Sequence, residues 1–162
     1  MVRMSTLRNF PVICGNRQIG LLQSVTLDAA QKRVYALIVS CGIRGKRVVL
    51  PQDVLSIADG FILASAVQKY HRSQENAPCS FLRDTTGLLA GYVTDHAIDE
   101  STLQVQAIEM APGYLPSERK LRIWVYTYVR PDDADNELTI PAFLCSEPTF
   151  SREGNEICAH PP

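Results

Sequence analysis

Three residues in one short stretch have side chains that could do acid–base or metal chemistry. Asp95 and His96 are adjacent, and Asp99 follows shortly after them. Carboxylates and imidazoles bind metal ions and exchange protons. In a regular strand, however, Asp95 and His96 point to opposite faces of the sheet, so they cannot both bind one metal ion. We therefore predict no catalytic residue and no metal site in this stretch.

The five cysteines do not add a reactive centre. Zinc-binding and redox cysteines usually occur as closely spaced pairs, and the sequence has no Cys-x-x-Cys pair. We interpret the cysteines as reduced, mostly packed thiols. The sequence also lacks a nucleophile elbow and a dinucleotide fingerprint, and the glycine-rich stretch that starts at Gly42 lacks the spacing of a phosphate-binding loop. These observations predict a protein that is not an enzyme and has no cofactor.

Two clusters of basic residues could bind an anionic partner. Their members are Arg44, Lys46 and Arg47 in the first cluster, and Arg119, Lys120 and Arg122 in the second. Matched clusters of this kind would form a bivalent site for a phosphate backbone or an acidic protein. The alternative interpretation is that both are ordinary solvated loops.

An aromatic stripe lies next to the second basic cluster. Trp124, Tyr126 and Tyr128 alternate along a stretch flanked by Arg122 and Arg130. Aromatic rings beside cations are typical of surfaces that hold single-stranded nucleic acid. The alternative is that another barrel or a second chain covers the stripe, because exposed aromatic stripes are costly for a soluble protein.

Both clusters follow a repeated pair of strands. Residues Gly20–Gly42 read as a strand, a polar turn and a second strand, and residues Gly91–Gly113 repeat this pattern without a gap. We call the distance in sequence from Gly20 to Gly91 the repeat offset. Identical residues at this offset are Gly20 and Gly91, Asp28 and Asp99, Val34 and Val105, Ala36 and Ala107, and Gly42 and Gly113. Self-similarity at a fixed offset indicates a repeated structural unit.

The pattern of short strands predicts an all-β fold. Turn residues separate the strands at short intervals, and no segment has the periodicity of a long helix. We predict two small β-barrels in tandem, at residues 1–70 and 79–145, joined by a linker at residues 71–78. Residues 146–162 are predicted to form a polar C-terminal tail, and residues 121–130 give the clearest strand signal.

Charge and hydropathy limit the class of protein further. Residues 1–75 carry a net charge of +6 and residues 76–162 a net charge of −7. These opposite charges could draw the two halves or neighbouring chains together, or present a basic half to an anionic partner. The start of the chain has no apolar signal region, and the longest apolar run, Val34–Val39, is too short to cross a bilayer. We expect a cytoplasmic protein without membrane insertion.

The first half of the chain closely resembles the PRC-barrel domain family. The resemblance lies in the stretch from Pro11 to Val39, and in the downstream Leu50-Pro51, Val54–Ile57 and Asp59-Gly60. It covers residues 7–70 well and residues 79–145 weakly, which implies a tandem PRC-barrel protein with a divergent second repeat. The family includes the reaction-centre H subunit, a ribosome-maturation factor, and short proteins of spore-forming bacteria and of archaea.

The resemblance implies an adaptor or assembly module. We expect a non-catalytic adaptor that docks a protein partner or self-associates through its barrel surfaces, in a sporulation or envelope-associated setting. The alternative is an RNA- or ribosome-associated protein that binds through its basic first half, and DNA binding is not expected. A third possibility is an enzyme or small-molecule binder with a cleft between barrels, for which the sequence places no convergent polar groups.

Overall fold

The computed structural model describes residues 1–58, 60–71, 81–112, 122–126, 128, 137–140 and 156–159. The prediction of an all-β fold is confirmed, because the described residues form mostly β-strands. The chain divides into two compact units, of which the first comprises residues 1–78 with Ile98–Val105 and the second comprises Cys79–Ala97 with Gln106–Pro162. Of the predicted linker, residues 72–78 lie outside the described part. Within the described residues, no helix is long and apolar enough to cross a membrane.

The first unit is built on one sheet. Its elements are β1 (Val2–Arg3), α1 (Met4–Leu7), β2 (Pro11–Cys14), β3 (Arg17–Leu27), β4 (Val34–Ser40), β5 (Lys46–Val49), β6 (Val54–Ala58), β7 (Phe61–Ala64) and β8 (Gln68–Lys69), with 3₁₀ turns at Gly42–Arg44 and Pro51–Asp53. The strand order in this sheet is β6-β7-β2-β3-β4-β5-β8, and β1 is not one of its strands. Neighbours are antiparallel except for β2 and β7, which run parallel.

The core of the first unit follows from the apolar run of β4. Val34, Leu37 and Val39 are buried in one hydrophobic cluster with Leu22 of β3 and Ile62 of β7. Removing apolar side chains of this kind from water is the main force that holds a small sheet together. The central position of β4 between β3 and β5 explains why its sequence is apolar almost throughout.

Glycine sets the spacing between the two central strands of each unit. A Cβ atom at Gly20 of β3 would overlap the carbonyl oxygen of Ser40, and a Cβ atom at Gly91 would overlap that of Ala111. Ser40 and Ala111 are themselves related by the repeat offset. Only glycine permits this close backbone approach, and it occurs at matched positions in both units.

The second unit has a comparable strand order. Its strands are β9 (Phe81–Asp84), β10 (Leu89–Ile98), β11 (Val105–Pro112), β12 (Arg122–Val125), β13 (Glu137–Ile140) and β14 (Glu156–Ala159), although Ile98 and Val105 are grouped with the first unit. The order β13-β9-β10-β11-β12-β14 repeats the order β7-β2-β3-β4-β5 of the first sheet over its first five strands. β13 is parallel to β9, as β7 is to β2.

Strand register identifies the counterpart of β12. Leu37 lies opposite Val49 in the first sheet, and its repeat equivalent Ile108 lies opposite Val125 in the second. Val49 and Val125 are further apart in sequence than the repeat offset, so the connection before β12 is longer than the one before β5. β12 is therefore the equivalent of β5, and Arg122 is the equivalent of Lys46.

Two details differ from the sequence prediction. The strand predicted at residues 121–130 is observed over Arg122–Val125, and residues 121, 127 and 129–130 lie outside the described part. In addition, β14 lies within the segment that composition indicates to be a polar tail, and it pairs in parallel with β12. The composition of residues 146–162 did not indicate this strand. Its pairing partner β12 is distant in sequence, so the strand depends on a tertiary contact.

Candidate docking surface

The connection between β4 and β5 is a tight turn that is fixed by its own backbone. The N–H of Cys41 donates to the carbonyl oxygen of Gly45 at 2.8 Å, and the N–H of Gly45 donates to that of Gly42 at 3.0 Å. Gly42 and Gly45 have φ angles of 61° and 80°, a region that glycine adopts without steric cost. We call residues 42–47 the basic turn.

The basic turn presents one apolar side chain among cations. Ile43 is fully exposed at its tip, and Arg44 and Arg47 are exposed beside it. Lys46 is half-buried, and its ammonium lies 5.1 Å from the centroid of the Tyr70 ring, which is a cation–π distance. The three basic residues of the first predicted cluster thus lie together in one small, ordered turn.

A groove of about 590 Å³ adjoins the basic turn. Cys41 and Gly42 belong to its lining, and so do Arg8 and Asn9. Residues 18–23 of β3 also belong to the lining, and among them Leu21 is an exposed apolar side chain. We call the groove and the basic turn together the docking surface.

The segment before β2 builds one wall of the groove. The N–H of Asn9 donates to the carbonyl oxygen of Leu22 at 2.8 Å, and the N–H of Leu22 donates to that of Phe10 at 2.8 Å. Asn9 has a φ angle of 71°, and asparagine is one of the few residues other than glycine that tolerate this conformation. This turn holds Arg8 beside β3.

The lining of the groove is rich in hydrogen-bonding groups. Gln18, Gln23 and Asn9 supply amides that donate and accept hydrogen bonds, and Arg8 supplies a fixed positive charge. Among the described residues that line the groove there is no carboxylate or histidine. A general acid–base pair is therefore not available in this lining, whereas an anionic or amide-rich ligand would find partners.

Comparison with known families decides what this first unit is. Residues 1–69 match the family model of the PRC-barrel domain. Residues 1–69 are a PRC-barrel domain. The match confirms the resemblance that the sequence indicated for the first stretch, and it contains the whole docking surface. No curated protein matches the chain.

The second basic cluster differs from the cluster on the PRC-barrel domain. Arg119 and Lys120 lie outside the described residues. Nη1 of Arg122 lies 2.6 Å from Oε2 of Glu109, which is only 3% exposed and also accepts a hydrogen bond from Thr94. The charge of Arg122 is therefore used within its own unit.

The predicted aromatic stripe is not an open platform. Trp124 is 8% exposed and Tyr128 3%, and Trp124 packs in a small cluster with Ala97 and Ala107. Tyr126 is half-buried and packs against this cluster. Trp124 and Tyr128 are thus not exposed for stacking of nucleobases in this conformation, and the cover of Trp124 comes from its own unit.

Register shows that the position of Trp124 is a buried one in both units. Glu109 lies opposite Trp124, and its repeat equivalent Ile38 lies opposite Val48 in the PRC-barrel domain. Val48 is fully buried, so Trp124 occupies a position that is buried in both units. Ile123 and Val125 are buried as well, which means that both faces of β12 are covered.

The stretch with Asp95, His96 and Asp99 serves local structure. His96 is buried, and burial lowers its pKa to about 4, although the nearby Asp95 acts in the opposite direction. Oδ1 of Asp95 accepts a hydrogen bond from the backbone N–H of His96 at 2.8 Å. Hydrogen bonds from Ser101 and Thr102 hold the pKa of Asp99 below its usual range. Each side chain has a separate role.

Sequence reasoning missed the groove and the exposed isoleucine. The groove joins residues from three parts of the chain, so no local pattern indicated it. Ile43, by contrast, had a usable signal: a lone apolar residue between two glycines and next to basic residues cannot pack within so short a turn.

Proposed function

We propose that this chain is a non-catalytic adaptor, and that it docks an acidic, extended segment of a protein partner on the docking surface of its PRC-barrel domain. The observation that carries this proposal is the fixed basic turn, with exposed Ile43 between cations, directly beside a groove without carboxylates in its described lining.

The charge distribution favours an acidic partner. Arg8 lies at one wall of the groove, and Arg44 and Arg47 lie on the basic turn. Residues 1–75 carry a net charge of +6, so the long-range field of this half also attracts anions. Complementary charge of this kind raises the association rate and selects among partners.

The apolar groups favour a protein over a nucleic acid. Ile43 and Leu21 are exposed large apolar side chains on this surface. A phosphate backbone offers them no apolar counterpart, whereas a peptide with an apolar residue among its acidic ones does. The amides of Gln18 and Gln23 are suited to hydrogen bonds with an extended peptide backbone.

RNA binding is the second candidate, because exposed Arg44 and Arg47 could also pair with phosphates. It predicts affinity that falls steeply with salt and is lost after nuclease treatment. Docking of a protein segment predicts binding that resists nuclease and depends on Ile43 as well as on the arginines.

The test is capture of binding partners by the full-length protein before and after nuclease treatment, across a salt series. The variants are Ile43→Asp and the double variant Arg44→Glu with Arg47→Glu. A matched charge control is the pair Arg17→Glu with Lys32→Glu, two exposed positions outside the groove lining and the basic turn. We expect both docking-surface variants to lose a nuclease-resistant protein partner that the control retains. Capture of RNA alone, or equal binding by all variants, would refute the proposal.

A further inference from the structure

The core of the PRC-barrel domain is completed by residues from much later in the chain. Ile98 is fully buried and Leu103 is 5% exposed, and both belong to the hydrophobic cluster that contains Leu7, Leu27 and Val34. We call residues 98–105 the tip segment. The family match ends at residue 69, so the tip segment lies outside it in sequence but inside the domain in space.

Backbone hydrogen bonds fix the tip segment against the turn between β3 and β4. The N–H of Val34 donates to the carbonyl oxygen of Leu103 at 2.9 Å, and the N–H of Val105 donates to that of Lys32 at 2.8 Å. Arg33 and Gln104 form an isolated antiparallel bridge between these two bonds. The tip segment therefore binds through backbone as well as through side chains.

The two hydrogen bonds are related by the sequence repeat. Lys32 and Leu103 are separated by the repeat offset, and so are Val34 and Val105. In each bond, the valine of one turn (Val34 or Val105) donates to the residue of the other turn that lies two positions before that turn's own valine (Leu103 or Lys32). The two bonds are therefore equivalent under exchange of the two turns. Pairing of equivalent groups in this manner is typical of a two-fold interface between identical subunits.

The tip segment is held in shape by its own contacts. Oδ1 of Asp99 accepts hydrogen bonds from the N–H groups of Ser101 at 2.9 Å and Thr102 at 2.8 Å. The N–H of Leu103 donates to the carbonyl oxygen of Asp99 at 2.9 Å. A turn that forms by itself and presents Leu103 is suited to docking as a unit, since little conformational entropy is lost on binding.

We propose that the chain forms dimers by exchange of tip segments, in which the PRC-barrel domain of one copy receives Ile98 and Leu103 from a second copy. The contacts made by the second copy would be the same as those seen within one chain. Exchange of an identical element costs little beyond association itself, so the dimer forms as protein concentration rises. This proposal does not depend on the acidic partner proposed above.

The charge of Arg33 favours pairing of the β3–β4 turn with a tip segment over pairing with a second β3–β4 turn. Arg33 lies opposite uncharged Gln104. If two copies instead paired through their β3–β4 turns, Arg33 would lie opposite Arg33, flanked by Lys32 of each copy. Like charges directly opposite each other destabilise such a pair. The β3–β4 turn and the tip segment are thus complementary to each other, whereas two β3–β4 turns would repel each other.

The experiment uses two full-length variants, Arg33→Cys and Gln104→Cys, mixed and then oxidised. Directly opposite residues of an antiparallel pair have Cα atoms about 4.5–5.5 Å apart, within the range of a disulfide. Neither variant can form this disulfide within one chain, so a covalent dimer linking positions 33 and 104 reports exchange. We expect this heterodimer, and its fraction should rise about tenfold for a tenfold rise in concentration while it is a minor species.

Two controls make every outcome informative. A mixture of Arg33→Cys with Ser101→Cys, which is exposed in the same tip segment, should not cross-link and measures chance collision. The double variant Arg33→Cys with Gln104→Cys should form the disulfide within one chain at low concentration. Cross-linking in the double variant but not in the mixture would show pairing within one chain only and overturn the proposal. Absence of cross-linking in both would show that positions 33 and 104 are not close together, and would refute the proposal. An excess of Arg33→Cys homodimer would show that two copies pair through their β3–β4 turns and not through the tip segment, and would also refute it.

Discussion

Glu109 and Arg122 form an ion pair across β11 and β12, with Oε2 and Nη1 2.6 Å apart. The carboxylate is almost fully buried, whereas the guanidinium is partly exposed. In the PRC-barrel domain the position equivalent to Glu109 is held by the buried apolar residue Ile38. One repeat therefore places an ion pair where the other places a hydrocarbon side chain.

Removing only the cation should destabilise the second unit. In Arg122→Met the carboxylate of Glu109 would remain buried without its charged partner, and we expect the free energy of unfolding to fall by about 1–3 kcal/mol. The double variant Glu109→Ile with Arg122→Met should recover most of this loss, because it also removes the buried carboxylate and places at position 109 the residue type of its equivalent Ile38. Denaturant unfolding of the three proteins measures both effects, and an unchanged stability of Arg122→Met would contradict the role of the pair.

The close strand approach at glycine gives a second prediction. In Gly20→Ala and in Gly91→Ala the new methyl group would overlap a backbone carbonyl, so the strands must separate. We expect each substitution to lower stability by about 1–3 kcal/mol, as overpacking of a core does. Gln18→Ala, an exposed position on the same strand β3, serves as the control and should change the melting temperature little. Equal melting temperatures for all three variants would show that the strands are further apart than described.

Burial of His96 predicts a pH dependence of stability. Its folded-state pKa of about 4 lies below the ordinary histidine value of 6.5, so the unfolded chain binds more protons between these two pH values. Above about pH 7 the imidazole is neutral in both states, so His96 adds no pH dependence to the free energy of unfolding. As the pH falls towards 4, the unfolded state gains protons first, and the free energy of unfolding decreases by up to about 3 kcal/mol. His96→Gln should flatten this part of the stability profile, and His71→Gln, at an exposed position, should leave it unchanged. A profile of wild-type protein that is flat from pH 7 to 4 would contradict a buried neutral imidazole.

Burial of the single tryptophan can be measured directly. Trp124 is covered by its own unit, so its fluorescence should be blue-shifted in the folded protein and poorly quenched by acrylamide. Trp124→Ala should lower the free energy of unfolding by about 3–5 kcal/mol, the usual cost of emptying a buried aromatic site. Emission like that of free tryptophan in water would indicate an exposed stripe and would reopen the nucleic-acid interpretation.

The sequence predicted the elements whose signals are local. The polar turn at Asp28 between two apolar strands indicated β3 and β4, and the repeat offset indicated β10 and β11 in the same way. In both hairpins the aspartate accepts backbone hydrogen bonds from the turn, which is why it is found at matched positions. β5 ends at Val49, shortly before Pro51, which lacks the N–H that a ladder needs.

The features that were missed depend on contacts between distant residues. For the aromatic stripe the sequence left an open and a covered face as alternatives, because alternation along a strand does not show what packs on each face. The parallel partner of β12, β14, lies much further along the chain. The groove beside the basic turn and the placement of Leu103 in the PRC-barrel core likewise result from tertiary packing alone.

The position of the tip segment has a consequence for how the protein is made. Among the described residues before position 72, the last strand is β8, which ends at Lys69, yet the core of this domain includes Leu103. A ribosome that adds about 5–20 residues per second needs a further ~2–7 s to extend the chain from Lys69 to the end of the tip segment. During that interval the nascent domain carries an unfilled apolar site, so completion of the N-terminal fold waits for translation of the C-terminal half.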